Sequence, residues 1–439
     1  MALWLLVLAA APVVVALVVL CLREPLRIAL PIFAALIPFG GALSIGASPF
    51  GSASSLMGLL LGAGLALQFT TNRRAAPNLP STAAVWLMFL GAAGATVLWT
   101  INRSVTINGL AILGSLVLTY VLVAISDVDR TVVRRTENGL LVGGVAVVCY
   151  GLYQLVYLGG FPDDVPGAVT VPGGRFGNDL LGPNIQAVTL LFPFVLALNR
   201  AFAEEGRARG WRLVNAGFAV LMLWGVLMTG SRTGTLAAAL VVLTLAFAGQ
   251  RRGRKGLFVF LAAGVAVAAW VWVYQPAGVA SRSFESATSS SGRLEIWSVG
   301  LAACSDYCAI GAGWGNYGQV YAETQASVPG ARVLVSDEGT YQAHNVWILA
   351  LVELGIPGLV LLTWGLGQAL FEAWRIPRAL RGPPLSALVG LIFALVFLSS
   401  IEFKFFWMVL IMIALYANLS RALPGAPQHQ RTSVPSPGD

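Results

Sequence analysis

Residues 345–370 read NVWILALVELGIPGLVLLTWGLGQAL, an apolar run that contains a single charged side chain, Glu353. An α-helix rises about 1.5 Å per residue, so a run of this length exceeds the hydrocarbon core of a membrane, which is about 30 Å thick. Backbone polar groups in lipid must find their partners within the segment, which favours a helix over any open strand. The run therefore predicts a transmembrane helix.

Comparable apolar runs recur along the whole 439-residue chain. Hydrophobic residues make up 57% of the sequence and charged residues 10%, whereas about a quarter of a soluble domain is charged. This composition excludes a water-soluble domain, and it excludes a disordered chain because disordered segments are poor in apolar residues. We predict an all-α, polytopic transmembrane bundle of about 12–13 spans, the number depending on the first hairpin. The candidate spans are 3–22, 26–46, 55–71, 83–100, 105–126, 138–158, 183–199, 213–229, 234–249, 256–274, 345–370, 385–400 and 403–420.

The distribution of Lys and Arg predicts the orientation of the bundle. If the amino terminus is outside, most of the 27 basic residues fall in cytoplasmic connections. The net charge of +8 then reflects loops that face anionic lipid and does not indicate a nucleic-acid partner. The basic residues expected on the outer side are Arg103, Arg175, Arg232, Arg282, Arg293, Arg332 and Lys404.

Two long outer connections interrupt the pattern of short loops, and they divide the chain. Helical spacing inside the second one predicts a small helical subdomain that rests on the outer face of the bundle. A terminal stretch rich in Pro, Ser and Gln predicts a disordered cytoplasmic tail. The predicted regions are 1–274 (spans one to ten, with an outer loop at about 159–182), 275–344 (the helical outer subdomain), 345–420 (the last spans) and 421–439 (the tail).

Histidine is scarce, which draws attention to its positions. His429 belongs to the predicted tail, and His344 lies where the second outer loop enters the span at 345–370. A neutral imidazole at such a boundary suits a general base, because its pKa lies near the working pH. The alternative is an interfacial histidine that only caps the start of a helix, and position alone favours that second role.

Arg232 is the next unusual residue, because TGSRTG (229–234) separates two apolar spans and carries no acidic neighbour. An arginine at membrane depth is costly unless a partner solvates it, so such residues are functional candidates. Its planar fork of donors matches two phosphate oxygens at once, and Ser231 is expected to add a donor to an anion site. The alternative is an arginine that extends to the outer headgroups.

Two further arginines carry weaker signals. Arg293 in SGRLEIW (291–297) and Arg175 in PGGRFGNDLLGPN (172–184) lie in the outer loops, where a solvated surface role is equally compatible. Glu353 follows His344 by more than two helical turns, so its carboxylate requires a buried partner.

The cysteines and the missing motifs limit the chemistry. Cys304 and Cys308 are candidates for an i, i+4 disulfide in an oxidising compartment, with two free thiols as the alternative. The spacing is not that of a zinc site. The sequence has no Walker loop, no H-E-x-x-H and no G-x-S-x-G. We therefore predict neither a metal nor a cofactor.

Four motifs in order resemble the O-antigen ligase superfamily, which comprises O-antigen ligases, O-antigen polymerases and bacterial O-oligosaccharyltransferases. They are TGSRTG, SGRLEIW, G-x-G-x-x-N-Y (Gly311 to Tyr317) and HNVWILALVELGIPGL, which starts at His344. The resemblance covers about residues 170–405, while the residues before it match only as generic spans.

The resemblance implies an inverting, metal-independent glycosyltransferase on the periplasmic face of the bacterial inner membrane. Its donor would be a glycan on undecaprenyl pyrophosphate, and lipid A-core is the acceptor we expect. His344 would deprotonate the acceptor hydroxyl, while Arg232, Arg293 and Arg175 would hold the pyrophosphate. Supporting roles are expected for Ser231, Asn184, Asn345 and Glu353.

The alternatives stay within the superfamily or leave it altogether. A polymerase and a protein-directed oligosaccharyltransferase would use the same donor and residues. A transporter of lipid-linked glycans is a different class, and we disfavour it because the sequence indicates neither internal repeats nor broken helices.

Overall fold

The computed structural model describes residues 2–43, 50–71, 79–161, 174–177, 179–203, 208–248, 254–274, 293–331 and 342–422. The predicted tail lies almost wholly outside these residues, as do parts of both outer loops. Helices make up the architecture of the described chain. They are α1 (Ala2–Arg23), α2 (Leu30–Leu36), α3 (Ala53–Thr71), α4 (Ser81–Ala95), α5 (Arg103–Ala124), α6 (Arg130–Tyr157), α7 (Pro183–Thr189), α8 (Leu191–Leu198), α9 (Arg209–Met228), α10 (Arg232–Ala248), α11 (Arg254–Tyr274), α12 (Arg293–Ala302), α13 (Cys304–Tyr307), α14 (Tyr317–Thr324), α15 (Val346–Arg375), α16 (Gly382–Leu395) and α17 (Lys404–Ala422).

The helices confirm an all-α, polytopic membrane bundle. Within the described ranges, eight helices are long and apolar enough to cross a membrane, and shorter apolar helices lie between them. The eight are Ala53–Thr71, Ser81–Leu98, Arg103–Ala124, Arg130–Tyr157, Pro183–Phe202, Arg209–Met228, Val346–Arg375 and Lys404–Ala422. The shorter ones are Pro12–Arg23, Pro25–Gly40, Arg232–Ala248 and Gly382–Leu395.

The bundle has two chemically different ends. At the basic end, where α10 finishes and α16 begins, Arg381 Nε donates to the carbonyl oxygen of Ala248 over 2.9 Å. Arg421 and Glu372 form an ion pair of 3.1 Å at the same end, where α15 and α17 finish. The opposite end carries the starts of α10, α15 and α17, and we call it the site end.

Helices α12, α13 and α14 do more than rest on one end of the bundle, which is what the sequence predicted for this region. The loop between α13 and α14 enters the bundle, where Trp314 is 1% exposed and packs edge-on against Phe89 at 5.9 Å. Asn316 donates from Nδ2 to the hydroxyls of Thr100 and Thr106 at 2.9 and 2.8 Å. Gly109 makes room, since a Cβ there would lie 2.9 Å from the Trp314 ring.

Helix α15 is broken at Gly355, which adopts φ 69 and ψ −167. The expectation that no helix is broken is therefore wrong. The cause is the same inserted loop, because Ile356 N donates to the carbonyl of Cys308 over 2.9 Å. A Cβ at position 355 would lie 2.6 Å from the carbonyl oxygen of Ala309, so only glycine allows this approach.

A disulfide joins Cys304 and Cys308 in the structure, with their Cα atoms 4.4 Å apart. The bridge spans α13 and the turn that follows it, directly before the inserted loop. It therefore closes the last turn ahead of the point where the chain enters the bundle.

Candidate active site

His344 lies just before α15 and has an unusual backbone. Its φ is 47, and it is the one non-glycine residue with positive φ in the described part of the chain. L-residues occupy this region at a cost, so the surroundings must hold it in place. Its Nδ1 is buried and has no hydrogen-bond partner among the described residues. The imidazole is thus held in place with a nitrogen left unused by the fold.

Both neighbours of His344 are fixed by hydrogen bonds. Trp297 on α12 donates from Nε1 to the carbonyl oxygen of Ala343 over 3.0 Å. Asn345 is the N-cap of α15, and its Oδ1 accepts from the amides of Trp347 and Ile348 at 2.9 and 3.0 Å. The helix-capping role suggested for His344 therefore belongs to Asn345. The backbone N–H of Asn345 also donates to Ser399 Oγ over 3.3 Å.

Arg293 opens α12 and brings a positive charge to the histidine. Burial and then the charge of Arg293 lower the pKa of His344 from its ordinary value to about 4. The guanidinium of Arg293 also lies over the Phe397 ring, 5.7 Å from its centre, and Trp297 packs against the same ring at 6.3 Å. We call Arg293, Trp297, His344 and Phe397 the histidine cluster.

The pKa of His344 can be measured directly, because the chain has only two histidines. In protein labelled with ¹³C-histidine, we expect the His344 resonance to titrate near 4 and the ring to be neutral at pH 7. Arg293→Gln removes a positive neighbour, so the pKa should rise while remaining below its ordinary value because burial persists. His344→Gln identifies the resonance, and an unperturbed wild-type pKa would contradict this assignment.

The first outer loop brings Arg175 to the start of α10. Arg175 Nε donates to the carbonyl oxygen of Thr229 over 2.8 Å, and its Nη2 lies 3.4 Å from Asn184 Oδ1. Gly230 beside it has φ 60, a backbone conformation that favours glycine. Arg175, Asn184, Ser231 and Arg232 form what we call the arginine cluster.

Within this cluster, Arg232 and Ser231 have different surroundings. Arg232 is the first residue of α10; its side chain is exposed and makes no hydrogen bond to the described residues. Ser231 is 1% exposed, and its Oγ accepts from the amide of Gly234 over 3.2 Å. Ser231 therefore caps α10, while Arg232 has its guanidinium available to a ligand.

The packing of α10 against α16 puts the two clusters at the same end of the bundle. The helices run antiparallel, because Arg381 meets the end of α10 while a Cβ at Gly390 would touch Val241. Phe397 lies seven residues beyond Gly390, about 10 Å further along that direction. Arg232, at the start of α10, lies on the same side of Val241 along the helix axis. Because Phe397 belongs to the histidine cluster and Arg232 to the arginine cluster, both clusters lie at the site end.

Glu353 has the buried partners that the sequence required. Its carboxylate is 3% exposed and accepts from the amides of Gly315 (2.9 Å) and Tyr317 (3.0 Å) in the inserted loop. The G-x-G-x-x-N-Y motif thus binds α15 through a buried acid. This contact joins the outer helices to the helix that begins beside His344.

We expect Glu353→Ala to lower the free energy of unfolding by about 2–3 kcal/mol, because two buried amides lose their acceptor. Glu353→Gln keeps one acceptor oxygen and should give an intermediate loss. Thermal unfolding of the purified protein in detergent measures both. Glu323→Ala, on the exposed side of α14, is the matched control, and equal midpoints for Glu353→Ala and Glu323→Ala would contradict the role of this contact.

A cavity of about 360 Å³ also opens at the site end. Gln342, two residues before His344, lines it together with Ser52, Glu402 and Lys404, whose Nζ donates to Ser52 Oγ over 3.0 Å. Burial raises the pKa of Glu402 to about 7, and the Trp314 indole opposes that rise. The lining of the cavity also includes the apolar side chains of Phe33, Leu59 and Ile411. The cavity therefore suits an amphipathic molecule.

Sequence reasoning missed several residues around the histidine. Phe397 and Ser399 follow α16, and neither stands out in a run of apolar and small residues. Glu402 and Lys404 lie between two apolar runs, and charges at such a position are a sequence signal for a functional region.

Two comparisons with known proteins bear on the predicted family resemblance. Residues 217–363 match the family model described as O-antigen ligase. Over this segment the chain is similar to the O-antigen ligase family. The matched segment includes Arg232, Arg293, His344 and Glu353, whereas Arg175 and Asn184 precede it.

The chain is also similar to the exopolysaccharide production protein ExoQ of Rhizobium meliloti (strain 1021). The two are 25% identical over 303 residues, which cover 67% of this chain and 66% of ExoQ. The alignment thus spans just under two thirds of the relative's length. The predicted resemblance to the superfamily is confirmed by both comparisons.

Proposed function

We propose that this ligase-family protein transfers a glycan from a polyprenyl pyrophosphate, undecaprenyl pyrophosphate in bacteria, to an acceptor hydroxyl on the periplasmic side of the inner membrane. The observation that carries the proposal is the constrained His344, whose Nδ1 has no hydrogen-bond partner among the described residues and whose pKa is lowered by the charge of Arg293. A neutral base next to a cation suits a reaction in which a hydroxyl attacks and a phosphate leaves. The lower density of basic residues at the site end supports its outward orientation.

The reaction balances without a cofactor. The acceptor oxygen forms a bond to the anomeric carbon of the donor sugar while the bond from that carbon to the pyrophosphate oxygen breaks. The electron pair leaves with polyprenyl pyrophosphate, and attack from the opposite face inverts the configuration. The hydroxyl proton passes to His344, a step worth about 10²–10⁴-fold in rate.

The arginines stabilise the charge that grows on the leaving group. Arg232 is exposed at the start of α10, and Arg293 and Arg175 lie at the same end. A bound donor would exclude water from these guanidinium groups, and preorganised hydrogen-bond donors act most strongly on a growing charge where water is excluded. A bound pyrophosphate also offsets the positive charge of Arg293. The pKa of His344 should then rise on donor binding, which strengthens the base when it is needed.

The acceptor separates two candidates. The family description favours a ligase, with lipid A-core as the acceptor, whereas the name of ExoQ, an exopolysaccharide production protein, favours a polymerase whose acceptor is another lipid-linked glycan. A protein acceptor has no such support. The cavity beside Gln342 supports a lipid-linked substrate in either case.

The test is the lipid-linked glycan that accumulates in a strain lacking the gene, identified by mass spectrometry. A ligase leaves finished polymer on the carrier, whereas a polymerase leaves single repeat units. Purified protein with lipid-linked repeat units should then form the missing product. An unchanged carrier pool and no transfer by the purified protein would reject both, and transport of intact donor into proteoliposomes would favour a transporter.

A further inference from the structure

A groove lies at the basic end, far along the helices from the histidine cluster. It lies between α10, α15 and α16 and has a volume of about 700 Å³. Its walls are apolar, and the exposed fractions of Phe247, Phe371 and Trp374 are 59%, 57% and 56%, so these rings face the membrane. The groove is therefore an apolar channel open to lipid.

Three arginines stack on aromatic rings that line this groove. The guanidinium of Arg381 lies 4.4 Å from the centre of the Trp374 ring. Arg375 lies 5.4 Å from the Phe371 ring and Arg254 lies 5.7 Å from the Phe247 ring. Arg254 and Arg381 also donate from Nε to the carbonyl oxygens of Ala246 (2.8 Å) and Ala248 (2.9 Å), and Arg381 Nη1 donates to that of Trp374 (3.3 Å). Ring faces and carbonyl oxygens hold the guanidinium groups in place without neutralising their charge.

The charge of these arginines is not balanced within the part of the chain that the structure describes. None of the three forms an ion pair with a described carboxylate. Glu372 follows Phe371 in the sequence, but its carboxylate oxygens accept from Thr82 and Arg421 instead. A positive rim thus borders the apolar groove.

We propose that this groove binds an anionic diacyl phospholipid. Its acyl chains would lie along Leu240, Leu243 and Leu370, and its phosphate would face the arginines. An apolar channel alone accepts any lipid, but a rim of three unbalanced positive charges favours a headgroup with net negative charge. The choice of occupant therefore rests on charge complementarity, and it is independent of the proposed glycan transfer.

Such a lipid would contact the helices that also carry the two clusters. Helix α10 begins at Arg232 and α15 begins beside His344, and the groove joins the far ends of both helices. A ligand that binds the folded protein raises its unfolding temperature. The lipid is thus expected to stabilise the bundle that carries both clusters.

The experiment is native mass spectrometry of the delipidated full chain titrated with phosphatidylglycerol or phosphatidylcholine. We expect one phosphatidylglycerol to bind more tightly than phosphatidylcholine. The double variant Arg254→Gln and Arg375→Gln should weaken that binding on the order of twentyfold. The matched control changes Arg130 and Arg209, which are exposed at the same end outside the groove, to Gln.

A second variant fills the groove and leaves its charges in place. A Cβ at Gly367 meets no atom within 4 Å, so Gly367→Phe can project into the groove without a backbone clash. It should lose phosphatidylglycerol while unfolding at an unchanged temperature in detergent. Gly91→Phe, at an equally open glycine on α4, should keep the lipid.

Three results would overturn the proposal. Equal affinity for the two phospholipids would remove the anionic site. If the Arg254 and Arg375 double variant and the Arg130 and Arg209 control lost phosphatidylglycerol affinity equally, the lipid would be attracted to a charged surface in general and not to this groove. Displacement of phosphatidylglycerol by an equimolar polyprenyl phosphate would assign the groove to the carrier lipid instead.

Discussion

Replacing His344 with alanine is expected to lower glycan transfer by about 10²–10⁴-fold, the usual contribution of a general base. The loss should appear in kcat, because the imidazole acts on the attacking hydroxyl and does not hold the donor. Initial rates with purified protein and a lipid-linked donor measure it. Binding of the donor should stay within a factor of a few of wild type.

The chain offers a control for this substitution. His429→Ala removes the other histidine and should leave the rate unchanged. The unfolding temperature of His344→Ala should match or exceed that of wild type, because alanine removes a buried unpaired polar atom. A variant that is folded, binds donor and still turns over at the wild-type rate would remove His344 from the chemistry.

Arg232→Lys is expected to lower transfer by about 10²–10³-fold, the effect of losing one preorganised donor to a developing anion. The charge remains, but an ammonium cannot present two parallel donors to two phosphate oxygens. Folding should be unaffected, because the Arg232 side chain is exposed and forms no hydrogen bond with the described residues. Steady-state rates and donor affinity should be measured together.

A charge-conserving control separates this effect from a general one. Arg130→Lys makes the same change at an exposed position on the basic end and should keep full activity. Arg175→Lys tests the neighbour, whose Nε already donates to Thr229, so part of its loss should appear as a lower unfolding temperature. Wild-type rates in Arg232→Lys would show that its guanidinium does not hold the pyrophosphate.

The candidate site residues stand out through their rarity in this sequence. A lone histidine at a span boundary and arginines between apolar runs are visible without coordinates, and the motif order suggested what they do. The role of Asn345 was less visible, because an N-cap and a catalytic neighbour look alike in sequence. In the structure Asn345 is the N-cap of α15, because its Oδ1 accepts hydrogen bonds from the backbone amides of Trp347 and Ile348.

The inserted loop shows where sequence reasoning stopped. G-x-G-x-x-N-Y was recognised as a motif, but its function in the fold was not predicted. Asn316 contacts Thr100 across 216 residues, and Gly315 contacts Glu353 across 38. These partners become neighbours only when α4, α5 and α15 pack together.

The membrane-spanning helical class, the bias of basic residues toward one side and the scarce polar residues can all be read from the amino-acid sequence. These are properties of each segment and its surroundings, so the order of residues within the segment is enough to predict them. The tertiary structure alone decided the positive φ of His344, the break at Gly355 and the alignment of α10 with α16. Each depends on contacts between segments that are distant in the sequence, and these contacts form only when the helices pack together.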